Sequence, residues 1–246
     1  MAEISDGLEA LRRVVSVREI AAWIESTAQW VSPQTFKELP LWFPEHARKA
    51  RFYKGNWTEP QMNMSRATGQ SDHKKEGNVN ANKALTLALG LRSKLRPNWS
   101  CCHIWGVDDA SYQLSNVVVM DRRFYSCVGN MVLLPTPLKA FTDTMPEIKQ
   151  MLRVCARNLY DWKCDHDSLL ALNSALDDFD DWESYPKSWP RTPHEKLPIG
   201  VVPISPAIQA SVLKRKAKIA HDLQHAGGNY PRDQVRAALA YWKIEL

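Results

Sequence analysis

A chain of 246 residues, 44% hydrophobic and 24% charged, has the make-up of a globular protein and can bury a sizeable core, as one large domain or as a small catalytic module with helical flanks. No apolar run approaches the roughly 18 residues that a membrane span needs. The opening MAEISDGLEALRR is acidic and amphipathic, which argues against a secretory signal and for the cytoplasm. Five cysteines without a CxxC pair fit reduced thiols better than a disulfide framework or a zinc site. The net charge of +5 is unevenly spread: bases dominate 45–96 and 206–246, whereas acids dominate 161–196. Such asymmetry suits a protein that binds a polyanion through Lys and Arg, and it also suits solvated helix faces.

In chain order, residues 6–30 place Leu8, Leu11, Val14, Ile20, Ala21, Trp23 and Ile24 at helical spacing. Two helices are expected there, the second capped by Ser16 with Glu19 three residues on. Ser32-Pro33 reads as a break, followed by a Trp- and Phe-rich stretch punctuated by Pro40 and Pro44. A basic helix is expected from near Pro44, carrying Arg48, Lys49, Arg51 and Lys54. Residues 55–82 read as a polar loop, in which Arg66, Lys74 and Lys75 sit among amide side chains. That mixture suits contacts to phosphates and base edges, and it suits a plain surface loop almost as well. A helix follows over 80–95.

The periodicity then changes. Strands are expected over Cys101–Val107, Val117–Met120 and Met131–Leu134, with a helix beginning at Thr136 or Leu138, since proline is tolerated in a first turn. Helical spacing resumes over 146–160 and 167–181, an extended proline-rich connector covers 184–205, and two helices near 206–225 and 231–243 close around Gly227-Gly228-Asn229. This closing pair allows a helix-turn-helix-like reader, a homodimer contact or a cap on the core. Trp23, Trp30, Trp42 and Trp162 fall at apolar positions and are expected to pack rather than stack on bases. The run Asp177, Asp178, Asp180, Asp181 reads as a solvated helix end, and Asp108 and Asp109 as a turn.

The chemistry concentrates in SCCHIWGVDDASYQLSNVVVMDRRFYSCVGNMVLLPTPLKAFTD, residues 100–143. It places His103 on one short apolar segment and Asn130 at the start of the next, with proline and a helix behind. Phosphodiester hydrolysis needs a base that activates water and positive charge beside the phosphate. The order of strand, loop, GNMVLLP, helix resembles the HNH, or ββα-metal, nucleases. The resemblance implies an α+β fold, mostly helical with a central ββα-metal motif. Helical regions at 1–98 and 161–246 would flank a nuclease core at 99–160. It implies a metal-dependent endonuclease acting on DNA, of restriction or phage-defence type, with His103 as general base. Asn130 would orient the hairpin or bind the metal, and Asp143 would complete a site for Mg²⁺ or Mn²⁺. Lys139, Arg122 and Arg123, with Arg66, Lys74 and Lys75, would hold the phosphates. Two departures from the pattern, Cys102 before the base and Lys139 nine residues after Asn130, motivate the alternative of a non-catalytic nucleic-acid-binding or regulatory protein on a degenerate ββα scaffold.

Overall fold

The computed structural model describes residues 4, 6–65, 67–92, 96–106 and 115–246. Helix α1 (Gly7–Arg12) starts at Asp6, whose carboxylate accepts the Leu8 and Glu9 N–H groups. The capping box at Ser16 and Glu19 opens α2 (Val17–Thr27), which buries Ile20, Ala21 and Ile24. After β1 (Trp30–Val31), Ser32-Pro33 begins a helix where a break was expected. Ser32 accepts the Thr35 N–H, and proline at the first position presets the dihedral of α3 (Pro33–Glu38).

No basic helix forms after Pro44. Lys49 takes a left-handed φ of 65°, and the backbone there pairs outward: Lys49 N–H donates to Glu76 O at 2.8 Å and Glu76 N–H to Ala50 O at 2.7 Å. The expected polar loop is in fact two small hairpins, β2 (Tyr53–Lys54) with β3 (Glu59–Pro60), and β4 (Met62–Met64) with β5 (Ser71–His73). Backbone hydrogen bonds hold these ribbons with little apolar burial, so the sequence carries no alternation to reveal them. Helix α4 (Val79–Ala88) follows.

Strand β6 (Trp99–His103) pairs antiparallel with β7 (Met131–Pro135), His103 opposite Met131 and Trp99 opposite Pro135. The strand expected over Val117–Met120 is instead a 3₁₀ turn over Val118–Met120, whose Val119 carbonyl accepts the Arg48 N–H at 2.9 Å. Helix α5 (Thr136–Thr144) leaves β7 directly, with Pro137 in its first turn. It packs on both strands and on α6 (Pro146–Tyr160). Then come α7 (Leu170–Asp177), β8 (Val201–Val202), α8 (Pro206–His225) and α9 (Arg232–Tyr241). None of the helices among the described residues is long and apolar enough to cross a membrane.

The β6–β7 pair lies between two cores, as the period of two in a pleated strand requires. Cys102, Val132 and Leu134 join Ile20, Ile24, Met151 and Leu152 on one face. Cys101, Met131 and Leu133 join Ala84, Leu85, Ile208 and Val212 on the other. A strand buried on both faces reads as a continuous apolar run, which is the origin of MVLL. Trp30 and Trp42 are fully buried, but Trp23 is 48% exposed and does not join the core. All five cysteines are unpaired and buried.

Stretches distant in sequence are stitched to this hairpin. Gln29 bridges Leu133, and β1 pairs in parallel with β8. Gly200, at φ +84°, accepts the Trp30 N–H on its carbonyl oxygen at 2.9 Å. A Cβ there would sit 2.0 Å from the Ala28 carbonyl oxygen. A Gly200→Ala variant is therefore expected to lose at least about 1–3 kcal/mol of stability, read as a lower urea midpoint. An unchanged midpoint would show that the joint yields freely.

Candidate active site at the end of the hairpin

His103 ends β6, half-buried, with its Nε2 2.9 Å from the Tyr125 carbonyl oxygen. A carbonyl can only accept, so Nε2 carries the proton and Nδ1 keeps the lone pair. The Tyr125 ring lies nearly parallel to the imidazole, with centroids 6.0 Å apart. Burial pushes the His103 pKa down from the ordinary 6.5 to about 4, against the hydrogen bond to Tyr125, and the charges of Arg48, Lys149 and Lys139 push the same way as burial. The ring is neutral at physiological pH.

This shift has a consequence for stability. The folded state holds His103 neutral while the unfolded chain protonates near 6.5, so the contribution is complete above that pH and is lost as pH falls toward 4. The urea midpoint of the parent is expected to fall more steeply from pH 6.5 to 4 than that of His103→Gln. Parallel midpoints across this window would contradict the buried neutral imidazole.

Asn130 has no exposed surface. Its Oδ1 accepts the Trp105 N–H at 2.6 Å, and its Nδ2 donates to the Phe124 carbonyl at 3.2 Å. The amide clamps the chain after β6 to the chain before β7, with Oδ1 and Nδ2 both taken up by the backbone. Arg153 of α6 adds a second clamp, donating to Ile104 O at 3.1 Å and Gly106 O at 3.0 Å from a site only 2% exposed.

Helix α5 returns beside Cys102. The Cys102 thiol feels the charges of Lys139 and Asp143, and burial pushes its pKa up to about 12. Asp143 thus lies near Cys102, the residue before His103 on β6. Its carboxylate, however, is ion-paired with Lys139 one turn earlier on the helix. With Asn130 closed, Cys102 held as a neutral thiol and Asp143 paired, these residues do not fit a resident divalent cation. Among the described residues, no group of three His, Cys, Asp or Glu side chains converges.

Two of the expected phosphate contacts, Arg122 and Arg123, have partners within the fold. Arg122 donates to the Glu45 carbonyl at 2.6 Å. Arg123 grips Asp121 at 2.7 Å and lies over the rings of Phe124 and Tyr241. Both side chains are half-buried. Lys74 lies over Phe52, and Lys75 meets Asp72 at 3.4 Å on the exposed ribbon. Arg66, Asp108 and Asp109 lie outside the described residues. Asp177, from the acidic run, pairs with Arg157 and Lys163.

Compared with known proteins, the chain matches no family model, no curated protein and no solved structure.

Sequence reasoning missed Tyr125, Arg48, Lys149 and Arg153. Lys149 and Arg153 did leave a signal: two basic residues four apart among the apolar positions of α6, buried at 9% and 2% exposure. A charge in a core stripe is uncommon unless it is paired or used.

Proposed function

We propose that the protein is an endonuclease of the HNH type that hydrolyses DNA phosphodiester bonds, with His103 as the general base and Asn130 as the residue that holds the site in shape. One observation carries the reading: a strand, strand, helix unit presents a neutral imidazole whose Nε2–H is fixed by Tyr125, leaving Nδ1 as the acceptor nitrogen. In this reaction Nδ1 takes a proton from water as the water oxygen bonds to phosphorus. The P–O bond to the leaving sugar oxygen breaks, and that oxygen takes a proton from solvent. The charges of Arg48, Lys149 and Lys139 act on His103, and a cation of this group that reaches the phosphate would stabilise the negative charge that builds up there.

A second reading, a non-catalytic nucleic-acid-binding protein on the same scaffold, is favoured by the Lys139–Asp143 pair, which neutralises the one carboxylate that α5 brings to the hairpin. Incubation of supercoiled plasmid with the purified protein in Mg²⁺, in Mn²⁺ and in EDTA separates the two. Nicking supports hydrolysis, and its response to EDTA tells whether a divalent cation adds to the lysines and arginine. Plasmid that is bound but left supercoiled under all three conditions would favour the second reading.

A further inference from the structure

The ribbon β4–β5 projects a face that the fold does not use. Directly paired residues of an antiparallel ladder share a face, and Met62 pairs with His73 while Met64 pairs with Ser71. Met62 is 49% exposed and Met64 75%. At the ribbon's root, two residues beyond His73, Lys75 is bridged to Arg51, and both are exposed. The acid at the ribbon, Asp72, pairs with Asn63 on the opposite face. Its 3.4 Å contact with Lys75 joins two largely exposed side chains, a pair that water and salt hold only weakly. The result is a narrow two-stranded face with two free thioether side chains at its centre and two cations at its base.

We propose that this ribbon is the arm by which the protein grips duplex nucleic acid, with Arg51 and Lys75 on the phosphates and Met62 and Met64 against base edges in the groove. Three observations favour a nucleic-acid duplex over a protein partner. Of the two cations at the base, Lys75 meets only the largely exposed Asp72, so both remain open to a phosphate backbone, which gains more from them than one weak surface pair. A two-stranded ribbon has the width that the major groove admits. The root of the ribbon also adjoins the hairpin site: Tyr125 Oη donates to Gly77 O at 3.2 Å, and the carbonyl of the same residue holds His103 Nε2 at 2.9 Å. Tyr125 thus links the chain that follows the ribbon to the residue that holds His103. Unbranched methionines meet irregular apolar surface such as thymine methyl groups without a fixed shape of their own.

The proposal rests on the reading of the protein as one that acts on DNA, and its test separates the two. Binding of a fluorescently labelled duplex is measured by anisotropy in EDTA across a salt series, for the parent, Met62→Ser/Met64→Ser and Arg51→Gln/Lys75→Gln. All four positions lie outside the core, and circular dichroism checks that both variants fold. The cation pair is expected to weaken binding about tenfold or more and to lower the salt slope by about two. The methionine pair is expected to weaken binding about tenfold with the salt slope unchanged. If the parent binds and both variants bind equally well, the ribbon is not the arm and the nuclease reading stands. If the parent binds no duplex at any salt, the nucleic-acid reading fails and the ribbon proposal with it. Self-association that the methionine substitutions abolish, with duplex affinity untouched, overturns the proposal in favour of a protein partner.

Discussion

An Arg215→Ala variant is expected to melt about 6–20 °C below the parent. Arg215 on α8 is 8% exposed and Glu45 is 5% exposed. The Arg215 Nη2 donates to both Glu45 carboxylate oxygens at 2.5 Å. The same guanidinium donates through Nε to Trp42 O at 2.5 Å and lies 4.4 Å from the centroid of Phe43. Removing one partner of a buried pair leaves the other charged and dry, at a cost of about 3–5 kcal/mol. In a chain of this size each kcal/mol moves the midpoint by about 2–4 °C. The loop held in this way continues to Arg48, whose backbone N–H meets Val119 and whose charge acts on His103. The destabilised variant is therefore expected to lose activity as well. Replacing both partners by methionine is expected to recover most of the lost stability, because the desolvation cost leaves with the charges. Scanning calorimetry reads both outcomes, and an Arg215→Ala melt indistinguishable from the parent's would contradict the account of this joint.

The second large effect is on catalysis. His103→Ala is expected to slow plasmid nicking about 100- to 10,000-fold, the range that a positioned general base supplies. Initial nicking rates give the size of the loss, and thermal melts of His103→Gln separate it from folding. Glutamine keeps an N–H donor toward the Tyr125 carbonyl but offers no basic nitrogen, so this variant should match alanine in rate and stay nearer the parent in stability. Nicking by His103→Gln at the parent's rate would remove the imidazole from the reaction.

The helices were legible in the sequence wherever an amphipathic stripe and an end signal coincided. Ser16 with Glu19, Pro137 in a first turn and the Gly227 turn between α8 and α9 all mark boundaries that the chain keeps. The hairpin was legible for the opposite reason, since MVLL is apolar on both faces and only a strand between two cores explains it. What the sequence hid is backbone work. The ribbons at 53–73 are joined by N–H···O=C bonds between polar residues, and the turn at Lys49 depends on a left-handed dihedral that no side-chain pattern announces.

The same division runs through the candidate site. His103 and Asn130 stood out by their order along the chain, but the fate of Asn130 is decided by two backbone partners, Trp105 and Phe124, that spacing does not reveal. Arg122 and Arg123 looked like surface bases, and the fold turned them to the Glu45 carbonyl and to Asp121. Asp143, which the spacing offers as a metal ligand, is ion-paired with Lys139 one turn earlier on α5. A charge count along the chain cannot separate a base that meets solvent from one committed to a carbonyl, and that distinction sets which cations remain for a phosphate.

The measurement that bears most directly on this site is single-turnover cleavage of a labelled DNA duplex by the parent and by His103→Ala, side by side, with and without added imidazole. The account predicts cleavage by the parent, a loss of at least about 100-fold in the variant, and partial recovery when imidazole enters the space that the ring vacated. A duplex left intact by the folded parent in Mg²⁺, Mn²⁺ and EDTA alike, or cut equally fast by parent and variant, would contradict it.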